Sequence, residues 1–350
     1  MSAREKWHPD QYLENLYREV TPEYRFGARN EQEWRAWQDE LSRQFIQDLG
    51  GFPGKAAALD PTLLEESDCG EYVRQLVEFT TYPGLVMPAY VLVPKRSSLT
   101  GSPSDRLPAV IACHGHGEGS TELVGLQPDG ITSATEPGYQ KNFAIELVLR
   151  GFIVIVPDIL GFGSRRLRMD AGRNAPNSCH ALSTFLLQMG YTMAGHRIYE
   201  TMRVIDYLQT RADVDPDRIG CMGISGGGLV AAFTSALDKR IKAAVVSGYV
   251  NTFKDSILAI HHCVDNYIPG LNRHAEMPDL VGLIAPVPLL LEMGTQDTIF
   301  PIEASRDAER HIRAVYRLLG EEDKLDSDIF EGPHEISGVK AYDWLVRWLA

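Results

Sequence analysis

The sequence has few cysteines, no long apolar run and a deficit of basic residues. No two of its five cysteines (Cys69, Cys113, Cys179, Cys221 and Cys263) are closer than 42 residues, so the close pairs typical of zinc or redox motifs are missing. No stretch approaches the ~20 apolar residues of a membrane-spanning helix, and the charged N-terminus lacks the apolar core of a secretion signal. These absences predict a cytoplasmic protein without membrane contact and without a resident metal.

The charge balance excludes another class of function. Against 47 Asp and Glu stand 34 Lys and Arg, which gives a formal net charge of −13 over 350 residues. This disfavours a protein that neutralises nucleic-acid phosphates. With 44% hydrophobic residues, the chain has the composition of a globular protein with a substantial core. Its length allows one large domain with an appendage.

The first sixty residues differ from the rest in their periodicity. Apolar residues recur there at the three- and four-residue spacings of amphipathic helices. We expect residues 1–60 to form an N-terminal helical extension on a main domain that spans residues 61–350. We hypothesise that the extension forms the rim of a pocket or a homo-oligomer interface. The residues that carry this pattern are Tyr12, Leu13, Leu16, Tyr17, Trp34, Trp37, Leu41, Phe45 and Ile46.

The pattern in the rest of the chain predicts a β-hairpin around Pro83-Gly84, followed by alternating strands and helices. Such alternation predicts an α/β fold, in which a mostly parallel sheet carries helices on both faces. Ligands on such sheets bind beyond the carboxyl ends of the strands. Two long connections, at about residues 159–195 and 250–282, follow strand ends, and their apolar content favours ordered pocket walls.

A short glycine-rich motif stands between a predicted strand and a predicted helix. Gly223-Ile224-Ser225-Gly226-Gly227 satisfies G-x-S-x-G, and the strand–turn–helix context gives this pattern its meaning. The sharp turn would lift the Ser225 hydroxyl clear of the sheet. A serine hydroxyl is a poor nucleophile at pH 7, so it needs a base that a carboxylate orients.

Both partners are expected downstream of the serine. Asp297 follows the predicted strand VPLLLEMG, and His334 follows DSDIF. Because the carboxyl ends of parallel strands lie at one edge of a sheet, Ser225, Asp297 and His334 can converge there. The alternatives stand in less suitable places: Asp326 and Asp328 for the acid, His261 and His262 for the base.

The segment Cys113–Gly117 (CHGHG) closes another predicted strand. We expect the backbone N–H of His116 to be one oxyanion donor, with Gly115 close behind, and that of Gly226 to be the other. His114 and His116 are also candidate metal ligands, but two histidines without a nearby carboxylate or cysteine make a weak site. We therefore predict no metal.

Several loop residues are candidates for substrate contact or for structural support. Gly115, Phe162, Tyr191 and Phe253 are expected to line a partly hydrophobic substrate pocket. We interpret Asp158 as a brace of its loop rather than a catalytic acid. The basic run Arg165, Arg166 and Arg168 is interpreted as a solvated loop.

Taken together, these motifs resemble the α/β-hydrolases of the dienelactone hydrolase and acetyl xylan esterase-like group over about residues 70–350. The matching segments are LVMPAYVLVP, HGHG, VPDILGFGSR, DPDRIGCMGISGGG, GTQDTIFP and GPHE. The resemblance implies Ser225 as nucleophile, Asp297 as acid and His334 as base. Dienelactone hydrolases proper use a cysteine nucleophile, so Ser225 favours the esterase branch.

The sequence therefore predicts a serine esterase that acts on a small-molecule ester with a short acyl chain. No cofactor is predicted, since the glycines from 115 to 119 do not complete G-x-G-x-x-G. One alternative is a peptidase of the prolyl oligopeptidase type, although sixty helical residues are too few for the large gating domain of those enzymes. Another is a non-catalytic binding protein on the same fold.

Overall fold

The computed structural model describes residues 7–95 and 106–350, and within them nine strands form one sheet. In chain order the strands are β1 (Thr62–Asp68), β2 (Tyr72–Tyr82), β3 (Leu85–Pro94), β4 (Leu107–Cys113), β5 (Ile153–Pro157), β6 (Val214–Ile224), β7 (Ile241–Ser247), β8 (Leu289–Gly294) and β9 (Leu325–Phe330). Their order across the sheet is β1-β2-β3-β5-β4-β6-β7-β8-β9.

Pairing along the sheet changes from antiparallel to parallel. The pairs from β1 to β5 are antiparallel, whereas β5, β4, β6, β7, β8 and β9 pair in parallel. Strands β5 and β8 are buried at every residue, as parallel strands covered on both faces must be. The predicted mostly parallel sheet is confirmed. Strand β1 was not predicted, because it is exposed along almost its whole length and shows no apolar alternation.

Eleven helices of the described residues pack around the sheet. They are α1 (Asp10–Glu19), α2 (Glu31–Asp48), α3 (Ser120–Leu123), α4 (Phe143–Leu149), α5 (Arg168–Gly172), α6 (Cys179–Gln188), α7 (Met193–Thr210), α8 (Gly226–Leu237), α9 (Met277–Gly282), α10 (Ile302–Leu318) and α11 (Ala341–Leu349). Alternate residues of β4 point into two cores: Ile111 packs with residues of α2, α7, α8, α9 and α10, and Val110 packs with α4 and α11. None of these helices is both long enough and apolar enough to cross a bilayer.

The two predicted N-terminal helices are present and differ in their burial. Helix α1 has no buried residue, whereas α2 buries Trp34, Trp37, Leu41 and Phe45 in the larger core. The Phe45 ring meets Phe233 of α8 edge-on, with centroids 5.0 Å apart. The Gln38 amide donates to the Leu283 carbonyl, 245 residues further along the chain. Helix α2 is thus part of the main core, while a boundary at residue 60 and a homo-oligomer through these helices stay predictions.

The two long connections are ordered and contain short helices, α5 and α6 in the first and α9 in the second. The interpretation of the basic run as solvated was wrong for Arg165. Its guanidinium makes two hydrogen bonds to Glu200 of α7, at 2.6 and 2.8 Å, and both side chains are buried. The run looked solvated because sequence spacing does not reveal that a buried carboxylate on α7 faces it.

Candidate active site

Ser225 occupies a strained turn between β6 and α8. Its φ of 57° and ψ of −123° lie in a region that L-residues rarely adopt. The turn requires the flanking glycines, because a Cβ on Gly227 would lie 2.0 Å from the Cys113 carbonyl oxygen. The Ser225 N–H donates to the Ser247 carbonyl of the neighbouring strand at 3.0 Å. The backbone around the turn thus holds Ser225 at the carboxyl end of β6.

His334 and Asp297 meet beyond the ends of β9 and β8. Nδ1 of His334 lies 2.7 Å from Oδ2 of Asp297, and Oδ1 of Asp297 accepts from the N–H groups of Ile299 and Phe300. The rings of Phe300 and Tyr139 lie nearly parallel to the imidazole, with centroids 5.7 and 5.8 Å away. Nε2 of His334 is buried and makes no hydrogen bond within the described residues. These contacts fix the ring while its second nitrogen stays free.

The loop after β7 connects this pair to the serine turn. A Cβ on Gly248 would lie 3.0 Å from Cε1 of His334 and 3.6 Å from Oδ2 of Asp297. The preceding residue, Ser247, accepts the hydrogen bond from the Ser225 N–H. Gly248 thus lets the histidine ring approach the strand end next to Ser225.

The loop after β4 makes a second connection between them. A Cβ on Gly115 would lie 3.2 Å from the Cβ of Ser225 and 2.2 Å from the Tyr139 hydroxyl. That hydroxyl donates to the His116 carbonyl at 2.8 Å, and the same tyrosine ring stacks on His334. The structure therefore brings Ser225, His334 and this loop into one site.

Two backbone N–H groups near Ser225 have no partner among the described residues. The Gly115 N–H donates to the Gln140 side chain at 2.7 Å, so it is already engaged. Those of His116 and Gly226 donate no hydrogen bond in the part of the chain that the structure describes. The two residues are adjacent in space, since a Cβ on Gly226 would lie 3.0 Å from Nδ1 of His116. Both N–H groups are therefore available to an oxyanion.

The buried side chains behind this loop are structural. Nε2 of His114 accepts from the Ile159 N–H at 3.0 Å, and Nδ1 lies 2.8 Å from the Gly115 carbonyl, which places the proton on Nδ1. Burial lowers the pKa of His114 to about 4, so the imidazole is neutral. Asp158 accepts from the N–H and hydroxyl groups of Ser164 at 2.8 and 2.6 Å, which agrees with its interpretation as a brace.

The His116 side chain lies beside three polar side chains, those of Cys179, Cys263 and Asp265, that the sequence did not connect with it. Its Nε2 lies 3.2 Å from Oδ2 of Asp265. Arg197 donates to the same Oδ2 at 2.6 Å and to the Cys179 sulfur at 3.3 Å. The ligand-type atoms of His116, Cys179, Cys263 and Asp265 all lie within 4.8 Å of one another. The only sequence signal for this group was that each of the two long connections carries a cysteine.

Electrostatics in this group favour charged side chains. Burial opposes ionisation of His116, but Asp265 and Cys179 outweigh it and raise the pKa of the imidazole to about 9. The Cys263 side chain and the Arg197 guanidinium lower the pKa of Cys179 to about 6, against the effect of burial. Burial also opposes ionisation of Asp265, but Arg197 and His116 keep its pKa well below the usual range.

Three of the predicted pocket residues have different surroundings in the structure. Phe162 is buried beside the oxyanion loop, with its ring edge-on to His116 at 5.0 Å. Phe253 belongs to the larger core, and its N–H donates to Glu276. Tyr191 lines a cavity of about 440 Å³ together with Gly50 and His196, where the turn between α6 and α7 packs against the end of α2. A contact of Tyr191 with substrate stays a prediction.

Comparison with known proteins agrees with this architecture. A model of the Abhydrolase family matches residues 10–328. The chain is 32% identical to "Putative hydrolase YtaP" of Bacillus subtilis (strain 168), over 81% of this chain and 89% of that protein. A "putative acetyl xylan esterase" from Bacteroides fragilis NCTC 9343 superposes with a TM-score of 0.75 at 20% identity, over 92% of this chain and 82% of that one.

A glucuronoyl esterase from Solibacter usitatus superposes with a TM-score of 0.67 at 15% identity, over 94% of this chain and 97% of that one. At such low identity these two structures bear on the fold. They confirm the predicted fold class, a mostly parallel sheet flanked by helices. The match of the Abhydrolase model over residues 10–328 confirms the resemblance to the α/β-hydrolases.

Proposed function

This chain belongs to the Abhydrolase family, and we propose that it is a serine esterase that cleaves carboxylic esters through an acyl-enzyme intermediate. One observation carries the proposal: the strained turn that presents Ser225 lies beside a His334–Asp297 pair. The second imidazole nitrogen of this pair makes no hydrogen bond within the part of the chain that the structure describes. A nucleophile, a base and a carboxylate that orients the base are what acyl transfer by a serine requires.

In the first half-reaction the Ser225 oxygen attacks the ester carbonyl carbon, and Nε2 of His334 takes the hydroxyl proton. The tetrahedral adduct collapses as the carbon–oxygen bond to the alcohol breaks and the imidazolium returns the proton to the departing oxygen. In the second half, His334 removes a proton from water as the water attacks the acyl carbon. The bond between this carbon and the Ser225 oxygen then breaks, the imidazolium returns the proton to that oxygen, and the acid leaves. Asp297 stabilises the imidazolium in both halves, and each step uses only this chain and water.

The N–H groups of His116 and Gly226 are the proposed oxyanion donors. Both lie beside Ser225, and neither donates elsewhere within the described residues. Donors that are already in place when charge develops on the carbonyl oxygen lower the barrier more than they strengthen substrate binding. The hydrogen bond that engages Gly115 with Gln140 favours His116 over Gly115 for this role.

We propose short-chain acyl esters, acetyl esters among them, as the substrate class. Structural neighbours named as acetyl xylan and glucuronoyl esterases support an ester of a carbohydrate or a similar small molecule. Phe162 next to His116 supplies an apolar wall near the site. The formal net charge of −13 makes neutral esters better substrates than polyanions.

A covalent probe tests the nucleophile. We expect a fluorophosphonate to label Ser225 stoichiometrically, and Ser225→Ala to abolish labelling and to lower kcat on p-nitrophenyl acetate by at least about 10⁴-fold. Ser235→Ala is a matched control, since this serine lies in the adjoining helix α8 and its side chain makes no hydrogen bond to any described residue. It should keep both labelling and activity.

Two outcomes would contradict the proposal. An adduct on another residue would identify a different nucleophile. Cleavage of peptide p-nitroanilides without cleavage of p-nitrophenyl esters would identify a peptidase. A series of acyl-chain lengths together with acetylated sugars then defines the acyl and alcohol parts of the substrate.

A further inference from the structure

Side chains from three separate connections converge next to the oxyanion loop: His116 after β4, Cys179 at the start of α6, and Cys263 and Asp265 in the second long connection. We propose that these four side chains, called here the loop cluster, bind one zinc ion. The proposal does not rest on the esterase function, because the catalytic steps described above use only the backbone N–H of His116 and none of these four side chains.

The distances within the loop cluster suit a tetrahedral ion. Zinc bonds of about 2.0–2.3 Å place neighbouring ligand atoms roughly 3.3–3.8 Å apart. The four ligand atoms already lie within 4.8 Å of one another, and Nε2 of His116 lies 3.2 Å from Oδ2 of Asp265. Side-chain movements of about an ångström therefore complete the coordination sphere.

The donor set selects zinc over harder cations. Two cysteine sulfurs, one imidazole nitrogen and one carboxylate oxygen are ligands that zinc accepts together, whereas magnesium and calcium prefer oxygen alone. Four protein ligands leave no open position, which is typical of a structural zinc site.

The Arg197 guanidinium makes the site electrically balanced. It contacts Asp265 and Cys179, each of which carries a negative charge when it binds a metal. Two thiolates and one carboxylate bring three negative charges, and Zn²⁺ with Arg197 brings three positive ones. A buried group of charges is stable only when it is neutralised in this way. Arg197 thus acts as an outer-shell donor to two ligands.

The unsatisfied ring nitrogen of His116 is an independent observation that favours a bound ion. Its Nε2 is buried and, although it is close to Asp265, makes no hydrogen bond of acceptable geometry within the described residues. A buried polar nitrogen without a partner is costly, and a zinc ion in the loop cluster would satisfy it. Cys263 and the His116 ring are partly exposed, which opens a path for the ion.

Zinc at this position would join both long connections to the oxyanion loop. His116 would then supply a ligand through its side chain and an oxyanion donor through its backbone. The ion would act as a positioning element, because it contacts no reacting atom.

Metal titration of the full-length protein tests the proposal. After reduction and dialysis against a chelator, we expect one zinc ion per chain to bind in competition with a chromophoric chelator. Cys179→Ser and Cys263→Ser should each weaken binding by at least about 100-fold. Cys69→Ser is the matched control, since Cys69 is a partly exposed free cysteine outside the loop cluster. The zinc affinity of this variant should equal that of the wild type.

Cobalt provides a readout that needs no variant. Co²⁺ bound to the wild-type protein should show thiolate charge-transfer absorption and the intense visible bands of a tetrahedral site. The proposal would be overturned if the reduced wild type did not bind zinc stoichiometrically. It would also be overturned if Cys179 and Cys263 formed a disulfide and the protein bound no metal after this disulfide was reduced. Equal zinc affinity of wild type and both cluster variants would do the same. Fluorophosphonate labelling of Ser225 reports separately on the esterase proposal.

Discussion

Asp297 contacts His334 through one carboxylate oxygen, Oδ2, at 2.7 Å. The other oxygen, Oδ1, accepts from two backbone N–H groups of its own turn, those of Ile299 and Phe300. The turn thus orients the carboxylate before the histidine meets it. Asp297 is also buried, so water does not compete for the contact with the imidazole.

Replacement of Asp297 by asparagine tests its role in orienting the base. We expect Asp297→Asn to lower kcat by about 10⁴-fold while the fold is kept, because an amide can hold the wrong tautomer of His334. Esterase assays with circular dichroism measure both effects. Asp326→Asn is the control, since Asp326 is half-exposed and pairs with Lys340. An equal loss in both variants would show that Asp297 has no special role.

Gly115 is required by close packing around the site. In Gly115→Ala the new Cβ would lie 2.2 Å from the Tyr139 hydroxyl and 2.9 Å from the Ile224 carbonyl oxygen. We expect a lower melting temperature and a fall in kcat/KM, because either Tyr139 or the serine turn must move. Gly172→Ala is the control, since no atom of the described residues outside its own helix backbone and chain neighbours lies within 4 Å of its added Cβ. If Gly115→Ala matched this control in stability and activity, the packing argument would fail.

The buried ion pair between Arg165 and Glu200 supports the first long connection. Removal of the guanidinium leaves the Glu200 carboxylate buried without a counter-charge. We therefore expect Arg165→Met to lower the free energy of unfolding by about 3–5 kcal/mol. The double variant with Glu200→Met should lose much less than the sum of the single variants. Urea denaturation of all four proteins measures this coupling. Additive losses would show that the two side chains act independently.

Glu276 makes stability depend on pH. Burial raises the pKa of its carboxyl to about 7 from an ordinary value of 4.5, so the folded state holds a proton that the unfolded state releases. Its contribution is complete below pH 4.5 and is lost as the pH rises to about 7, by on the order of 3 kcal/mol. Denaturation at several pH values should show that Glu276→Gln removes this decline. The exposed Glu303→Gln should leave it unchanged.

The sequence was sufficient to predict the residues that stand at strand ends. Ser225, Asp297 and His334 each follow a strand whose apolar run is visible in the sequence, and parallel strands bring their carboxyl ends to one edge. The loop cluster was not predictable in this way, because no local spacing links His116 to Cys179. The burial of Arg165 was missed for the same reason, since its partner Glu200 lies in a distant segment.

Helix α2 has consequences for how the protein is made. Its partners include Phe233 and the Leu283 carbonyl, which follow it by roughly two hundred residues or more. During synthesis the N-terminal segment leaves the ribosome first, and the indole rings of Trp34 and Trp37 then have no native surface to pack against. This helix cannot make its native contacts until these partners, which are translated much later, have also been made. Chaperones that shield apolar segments would have their longest opportunity here.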